Sequence, residues 1–276
     1  MAADLPTAAA IQSGTVTNAQ QKTNLGAIAT FLLNLLGNDS SDKATARATL
    51  GVPTSIARNL LINGNFNINQ RAYVSGVATT GANQYTLDRW RVVTSGQNLA
   101  FTASGNGNLV TAPAGGLEQV IEGSNIGLAA AVINWVGTAT CTVDGVAKTK
   151  GAAVTLVPGT NCTVRFTGGT VSQAQLEYGT ASTAFEFRLV QTELQMCQRY
   201  CEVIDIGFLS NSPTTSAVAG TGTFLVTKRA VPTPTRLGGG PGGFTAPDVL
   251  TPSVNGFYFS RAAFQAGGNY LFTAEL

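Results

Sequence analysis

The sequence predicts a mainly β protein: a jelly-roll-like antiparallel β-sandwich head preceded by a short helical N-terminal segment. Three observations point there. Of 276 residues, 16 are Lys or Arg and 14 are Asp or Glu, so 11% are charged, against roughly 25% in an average soluble domain. The 32 glycines punctuate short Thr- and Val-rich runs, the pattern of strands joined by tight turns. Clear helical periodicity is concentrated before residue 58.

Residues 1–57 are rich in Ala, Thr, Asn and Gln and carry two related phrases. Lys22-Thr23-Asn24-Leu25-Gly26 is echoed by Arg47-Ala48-Thr49-Leu50-Gly51. In each, a short helix is expected to end at the Leu-Gly pair, with glycine at the left-handed position after the last turn. Between them Ile28, Phe31, Leu32, Leu35 and Leu36 fall at i, i+3, i+4, i+7 and i+8 and form one helical stripe that stops at Gly37. Asp39, Ser40 and Ser41 offer N-cap oxygens for the next helix, and Pro53 blocks continuation of the second. So few apolar residues cannot close a core of their own. The stripe is therefore expected to pack against copies of itself, against another protein or onto the chain's own β domain, and residues 1–57 are expected to serve oligomerisation.

From residue 59 the pattern changes. Runs 85–93, 117–121, 130–136, 139–143, 153–157 and 162–167 read as strands, several alternating in polarity. Asp144-Gly145 between two of them is a two-residue hairpin signal. In 162–167, Cys162, Val164 and Phe166 share one face and Thr163, Arg165 and Thr167 the other. A helix is expected at 191–200, then strands at 222–228, 257–260 and 270–275, with a glycine-rich loop at 237–243. The divisions are thus 1–57, a sandwich over 58–190, and 191–276 as a short helix plus strands that complete the β head.

Composition excludes much chemistry. There is no histidine, so a His-based triad, a His general base and the usual His/Cys zinc site cannot be assembled from this chain. A net charge of +2 without a basic run leaves little footprint for nucleic acid. The apolar stretch 31–36 is too short to span a bilayer, and the first residues lack the pattern of a secretory signal; synthesis in a cytosol without membrane insertion is expected. Cys141, Cys162, Cys197 and Cys201 form no CxxC pair and are expected as free, buried thiols, although Cys141 and Cys162 could meet if their strands pair. Glu118/Glu122 and Glu177/Glu186 are the carboxylate pairs a glycosidase would need. No nucleophile elbow, phosphate loop or metal-ligand run accompanies them, so neither enzyme, cofactor nor metal is expected.

Three phrases carry a family resemblance. Asn59-Leu60-Leu61-Ile62-Asn63-Gly64-Asn65-Phe66, followed by Asn69-Gln70-Arg71, resembles the opening of a β-sandwich found in bacteriophage and prophage tail fibres. Tyr85-Thr86-Leu87-Asp88-Arg89-Trp90 is similar to that family's next marker. Ala174-Gln175-Leu176-Glu177-Tyr178-Gly179, Phe185-Glu186-Phe187-Arg188, Glu193-Leu194 and Cys197-Gln198-Arg199-Tyr200 resemble its closing signature, with Cys201 where the family usually has an aromatic residue. The resemblance covers about residues 59–201 and implies a homotrimeric fibre or spike in the virion. Such a subunit attaches to other tail proteins by its N-terminus and presents a head similar to carbohydrate-binding modules to host polysaccharide or lipopolysaccharide. The alternative is a structural adaptor or decoration protein that anchors another fibre. Sugar recognition needs flat aromatic faces and amide hydrogen-bonding groups. Trp90 and Trp135 sit in apolar surroundings that suit a core, so the candidate glycan contacts are Tyr73 and Tyr85, with Asn83 and Gln84 between them in a turn-rich stretch, and Tyr258.

Overall fold

The computed structural model describes residues 58–209, 218–238, 249–261 and 265–276, together with Ala19, Lys22, Thr23, 25–28 and Thr30. The chain divides into two units, Met1–Arg58 and Asn59–Leu276. In the first, the described residues before Arg58 are helical, and this corrects one expectation: Gly26 does not end the helix, since Ala27, Ile28 and Thr30 beyond it are helical. A glycine inside a helix costs only about 1 kcal/mol relative to alanine. Thr23 and Thr30 each donate a side-chain hydrogen bond to the carbonyl four residues back, at 3.0 and 2.9 Å. Ile28 is 40% exposed; Phe31, Leu32, Leu35 and Leu36, the second Leu-Gly phrase and Pro53 lie outside the described residues.

The second unit is mainly β. Its first eleven strands are β1 (Gln84–Tyr85), β2 (Arg91–Val92), β3 (Ala100–Ser104), β4 (Gly107–Thr111), β5 (Leu117–Ile121), β6 (Ala130–Val136), β7 (Thr140–Val143), β8 (Val146–Lys148), β9 (Ala152–Thr155), β10 (Cys162–Thr167) and β11 (Thr170–Tyr178). They form two antiparallel sheets, one in the order β1-β2-β5-β10-β7-β8 and the other β3-β4-β11-β6-β9. The alternation read in 162–167 is observed, with Cys162, Val164 and Phe166 buried. Asp144 and Gly145 adopt φ of 48° and 79° between β7 and β8, the left-handed pair a two-residue hairpin requires. Phe66, Trp90, Phe166 and Trp135 run through the core with neighbouring ring centroids 4.8, 5.9 and 5.5 Å apart. Each buried indole N–H finds a carbonyl, Trp90 on Asn63 at 2.9 Å and Trp135 on Ala139 at 3.1 Å.

The expected strand over 85–93 is broken. Residues 86–90 form a turn in which Arg89 takes a φ of 70°, and Asn63 stabilises it by donating its side-chain amide to the Asp88 carbonyl at 3.0 Å. The cysteines are free. Although β7 and β10 are neighbours, Cys141 stands opposite Phe166 while Cys162 lies at the far end of β10, opposite Ile121 on β5. The register therefore keeps the two sulfurs apart.

Helix α1 (Val190–Gln198) follows and packs Cys197, with Leu194 and Met196, against Ile62, Ile68 and Tyr200. The remaining strands are β12 (Cys201–Leu209), β13 (Val218–Thr223), β14 (Thr233–Gly238), β15 (Val249–Pro252), β16 (Gly256–Arg261) and β17 (Gln265–Thr273). Among the described residues they pair with one another alone, in the orders β12-β17-β14 and β13-β16-β15, and have a core of their own around Phe224, Phe257, Phe259 and Phe272. The run expected as a strand over 222–228 leaves its sheet after Thr223. Phe224 turns into this core and Lys228 is buried against Glu202, while donating to the Gln198 carbonyl at 2.5 Å. Leu237 and Gly238 close β14; the rest of the glycine-rich stretch lies outside the described residues.

Candidate functional site

Many residues that carry the family resemblance form the polar frame of the head. Asn59 donates to the Ala174 carbonyl at 2.9 Å and accepts from the Leu61 and Leu176 amides at 3.0 and 3.1 Å. Asn63 bridges Ile68 and Asp88, and Glu177 accepts from Gln175 and Thr183. Asp88 accepts from the Gln70 amide and side chain at 3.0 and 2.6 Å and pairs with Arg71 at 3.3 Å. Burial pushes the Asp88 carboxyl up, with Arg71 and Gln70 partly opposing the rise. Asp88 and Arg89 do not pair with each other: Arg89 meets Glu275 and sets its guanidinium 3.6 Å from the Tyr200 ring centre.

This frame positions a cleft of about 350 Å³ bordered by Arg71, Tyr73, Gln84, Tyr85, Leu271 and Thr273. Tyr73 is fixed at its backbone by Asn69, whose side chain accepts from the Tyr73 amide and donates to the Tyr73 carbonyl, both at 2.9 Å. Its hydroxyl accepts from the Leu99 amide at 2.9 Å and donates to the Val77 carbonyl, so its ring is the part left for a ligand. Tyr85 donates its hydroxyl to the Leu276 carbonyl at 2.8 Å. The Arg71 and Arg91 guanidinium carbons lie 5.2 and 6.0 Å from the Tyr85 ring centre. Burial pushes the Tyr85 phenol up, Glu275 adds to the rise and Arg89, Arg91 and Arg71 oppose it. Gln84 accepts on its side-chain oxygen from the Thr80 and Gly81 amides at 2.8 and 3.2 Å; among the described residues its N–H donors have no partner.

Three of the five residues expected to contact glycan, Tyr73, Gln84 and Tyr85, therefore border one cleft. Asn83 stands beside it in the preceding turn, exposed and at a φ of 56°, but does not line it. Tyr258 is 46% exposed on β16, between Thr221 and Thr251, and is not part of the cleft wall. Arg71, Leu271 and Thr273 were missed. Arg71 could have been found, since it stands two residues from Tyr73; the β17 residues give no local signal. Arg71 is neutralised within the frame by Asp88 and Glu275, so the cleft offers aromatic faces and amide donors rather than net charge. That suits an uncharged, polyhydroxylated ligand.

Among the described residues, no group of three or more His, Cys, Asp or Glu is placed to hold a metal ion, and no helix is long and apolar enough to cross a membrane. No family model matches the chain, and no curated protein matches it. Among solved structures it is matched to a cycloisomaltooligosaccharide glucanotransferase from Paenibacillus sp., complexed with cycloisomaltoheptaose. The identity is 9% and the TM-score 0.22, over 75% of this chain and 46% of that one. The chain spans less than half the length of that enzyme, and a likeness this low carries no argument about fold, site or activity.

Proposed function

We propose that this chain is a subunit of a bacteriophage tail fibre or spike that binds host surface polysaccharide or lipopolysaccharide through its β head. In this reading the subunit is a homotrimer, joined to itself and to other tail proteins through residues 1–57, and it binds without catalysing a reaction. The observation that supports it is the cleft in which Tyr73 and Tyr85 border the same space as Gln84. Aromatic rings stack against the C–H faces of sugars while amide donors meet their hydroxyls. Each head binds weakly, and three heads on one fibre raise the effective concentration for the second and third contacts.

The test uses labelled full-length chain and host cells or their purified surface glycans. Binding is expected to change little between low and moderate salt, because the contact is not between net charges. Tyr73→Ala and Tyr85→Ala are each expected to weaken it by roughly tenfold, the upper end of what one aromatic face contributes. If the chain binds no surface glycan but binds another virion protein tightly, the adaptor reading replaces this one.

A further inference from the structure

A second groove is lined by a different set of residues from the cleft that holds Tyr73. It has a volume of about 430 Å³, and its wall includes Asn65, Asn67, Asn106, Phe185, Phe187 and Arg188, within the size range of ordinary ligand pockets. Phe185 and Phe187 meet edge to face at 4.9 Å and 83°. This leaves Phe187 56% exposed, an unusual position for a phenylalanine in a chain with only 8% aromatic residues. The amides that share its groove are not fully used. Asn65 donates to the Asn106 carbonyl at 2.7 Å, whereas Asn67 reaches the same oxygen only at 3.5 Å. Among the described residues, the buried Asn67 side-chain oxygen accepts no hydrogen bond and the buried Arg188 Nε–H donates none. Arg188 itself is locked: its side chain is 7% exposed, and its terminal nitrogens are held by Glu186, Glu193 and the Leu61 carbonyl.

A buried acceptor and a buried donor left unpaired are each costly, and here both belong to residues lining the same groove. A ligand hydroxyl is both donor and acceptor, so a sugar ring laid on Phe187 is matched to what the groove lacks. We propose that this groove is a second saccharide subsite, in which Phe187 stacks on a pyranose face and Asn67, turning its amide toward the groove, accepts from a ring hydroxyl. The inference rests on the reading of the head as a glycan binder and extends it from one contact to two. Asn67 borders the groove and Arg71 borders the cleft. Four residues of chain set their Cα atoms no more than about 15 Å apart. One oligosaccharide of several rings is therefore expected to reach both, and the second contact then forms intramolecularly.

The two sites can be followed separately by NMR on the uniformly ¹⁵N-labelled full chain. The side-chain amide signals of Asn65 and Asn67 report on the groove and those of Gln84 on the cleft. The probes are the methyl glycosides of glucose, galactose, mannose, rhamnose and N-acetylglucosamine, each titrated alone. At least one is expected to shift the Asn67 signals saturably. Phe187→Ala is expected to weaken that response by roughly tenfold while leaving any response at Gln84 unchanged; Phe187 is exposed enough for its loss to leave the fold intact. Asn67→Ala, read at Asn65, is expected to weaken it as well without lowering the melting temperature, because it removes an unpaired acceptor. Responses at Gln84 alone overturn the second subsite and leave the cleft standing. A response at Asn67 alone supports the subsite and counts against the cleft. If no glycoside shifts either set, or if the Asn67 response is indifferent to Phe187→Ala, the subsite is overturned.

Discussion

Arg89 is 1% exposed and Glu275, its partner, nearly as buried, so neither charge has water to fall back on. Glu275 also holds Arg71 at 3.0 Å. Glu275→Ala should therefore cost about 3–5 kcal/mol, the usual penalty for leaving a buried charge unpaired. Glu275→Gln, which keeps hydrogen-bonding capacity, should cost less, and urea unfolding of both variants checks the difference. The thiols give a second expectation. Burial pushes Cys141 and Cys162 up to about 12 and raises Cys197 and Cys201 as well, which removes the reactive thiolate. A thiol-labelling reagent should modify none of the four in the native chain and all of them in denaturant, and reductant should leave the melting temperature unchanged. Two phenols set an alkaline limit. Burial raises Tyr85 and Tyr200 above the ordinary value of 10.0, so the folded chain keeps protons that the unfolded chain releases. The stability they contribute is complete below pH 10.0 and is lost as pH climbs through the raised values. An ultraviolet titration of the native chain should find these two tyrosines ionising late.

Individual strands and turns show where local sequence is informative. Gly145 sits in the hairpin between β7 and β8 with open space around it, whereas a Cβ on Gly137, at a φ of 124°, would stand 2.1 Å from the Thr170 carbonyl oxygen. Gly145→Ala is expected to cost about 1 kcal/mol, for backbone strain alone. Gly137→Ala should cost at least about 2 kcal/mol more, because a rigid backbone atom has to move; denaturant unfolding compares the two. Strands β6 and β10 were legible to the residue because their runs are apolar or alternate cleanly between turn signals; β5 was read to the same bounds although Glu118 and Gln119 stand inside it. Strand β11 was not: residues 170–178 carry Ser172, Gln173 and Gln175 within them, and a bulge between Ser172 and Gln175 breaks the alternation. Polar residues read as surface, yet Gln175 and Glu177 are buried because side-chain hydrogen bonds satisfy them. The cleft was half legible for the same reason. Tyr73, Gln84 and Tyr85 lie close together in sequence, while Leu271 and Thr273 reach the site through a pairing that no local pattern announces.

Taken whole, the protein combines a first unit whose described residues before Arg58 are helical with a β unit that holds a sandwich core, a second core in its later strands and a small cluster around α1. Assembly is expected to depend on the first. Sedimentation of the full chain should give a trimer, and replacing Phe31 and Leu35 together with Asp should weaken association by several kcal/mol, on the order of what two buried apolar side chains contribute. A monomeric wild-type chain would end that idea. The pairing of Glu275 with Arg71 and Arg89 spans 204 and 186 residues, and this separation has a consequence for how the protein is made. A ribosome adds roughly 5–20 residues each second, so the arginines are synthesised roughly 10 to 40 seconds before their carboxylate. The head cannot finish folding as it emerges: its turn at 86–90 waits with an uncompensated charge until the strand that carries the cleft's far wall has been translated. Nascent chains halted before Glu275 should be cut by protease at that turn, and released full-length chains should not.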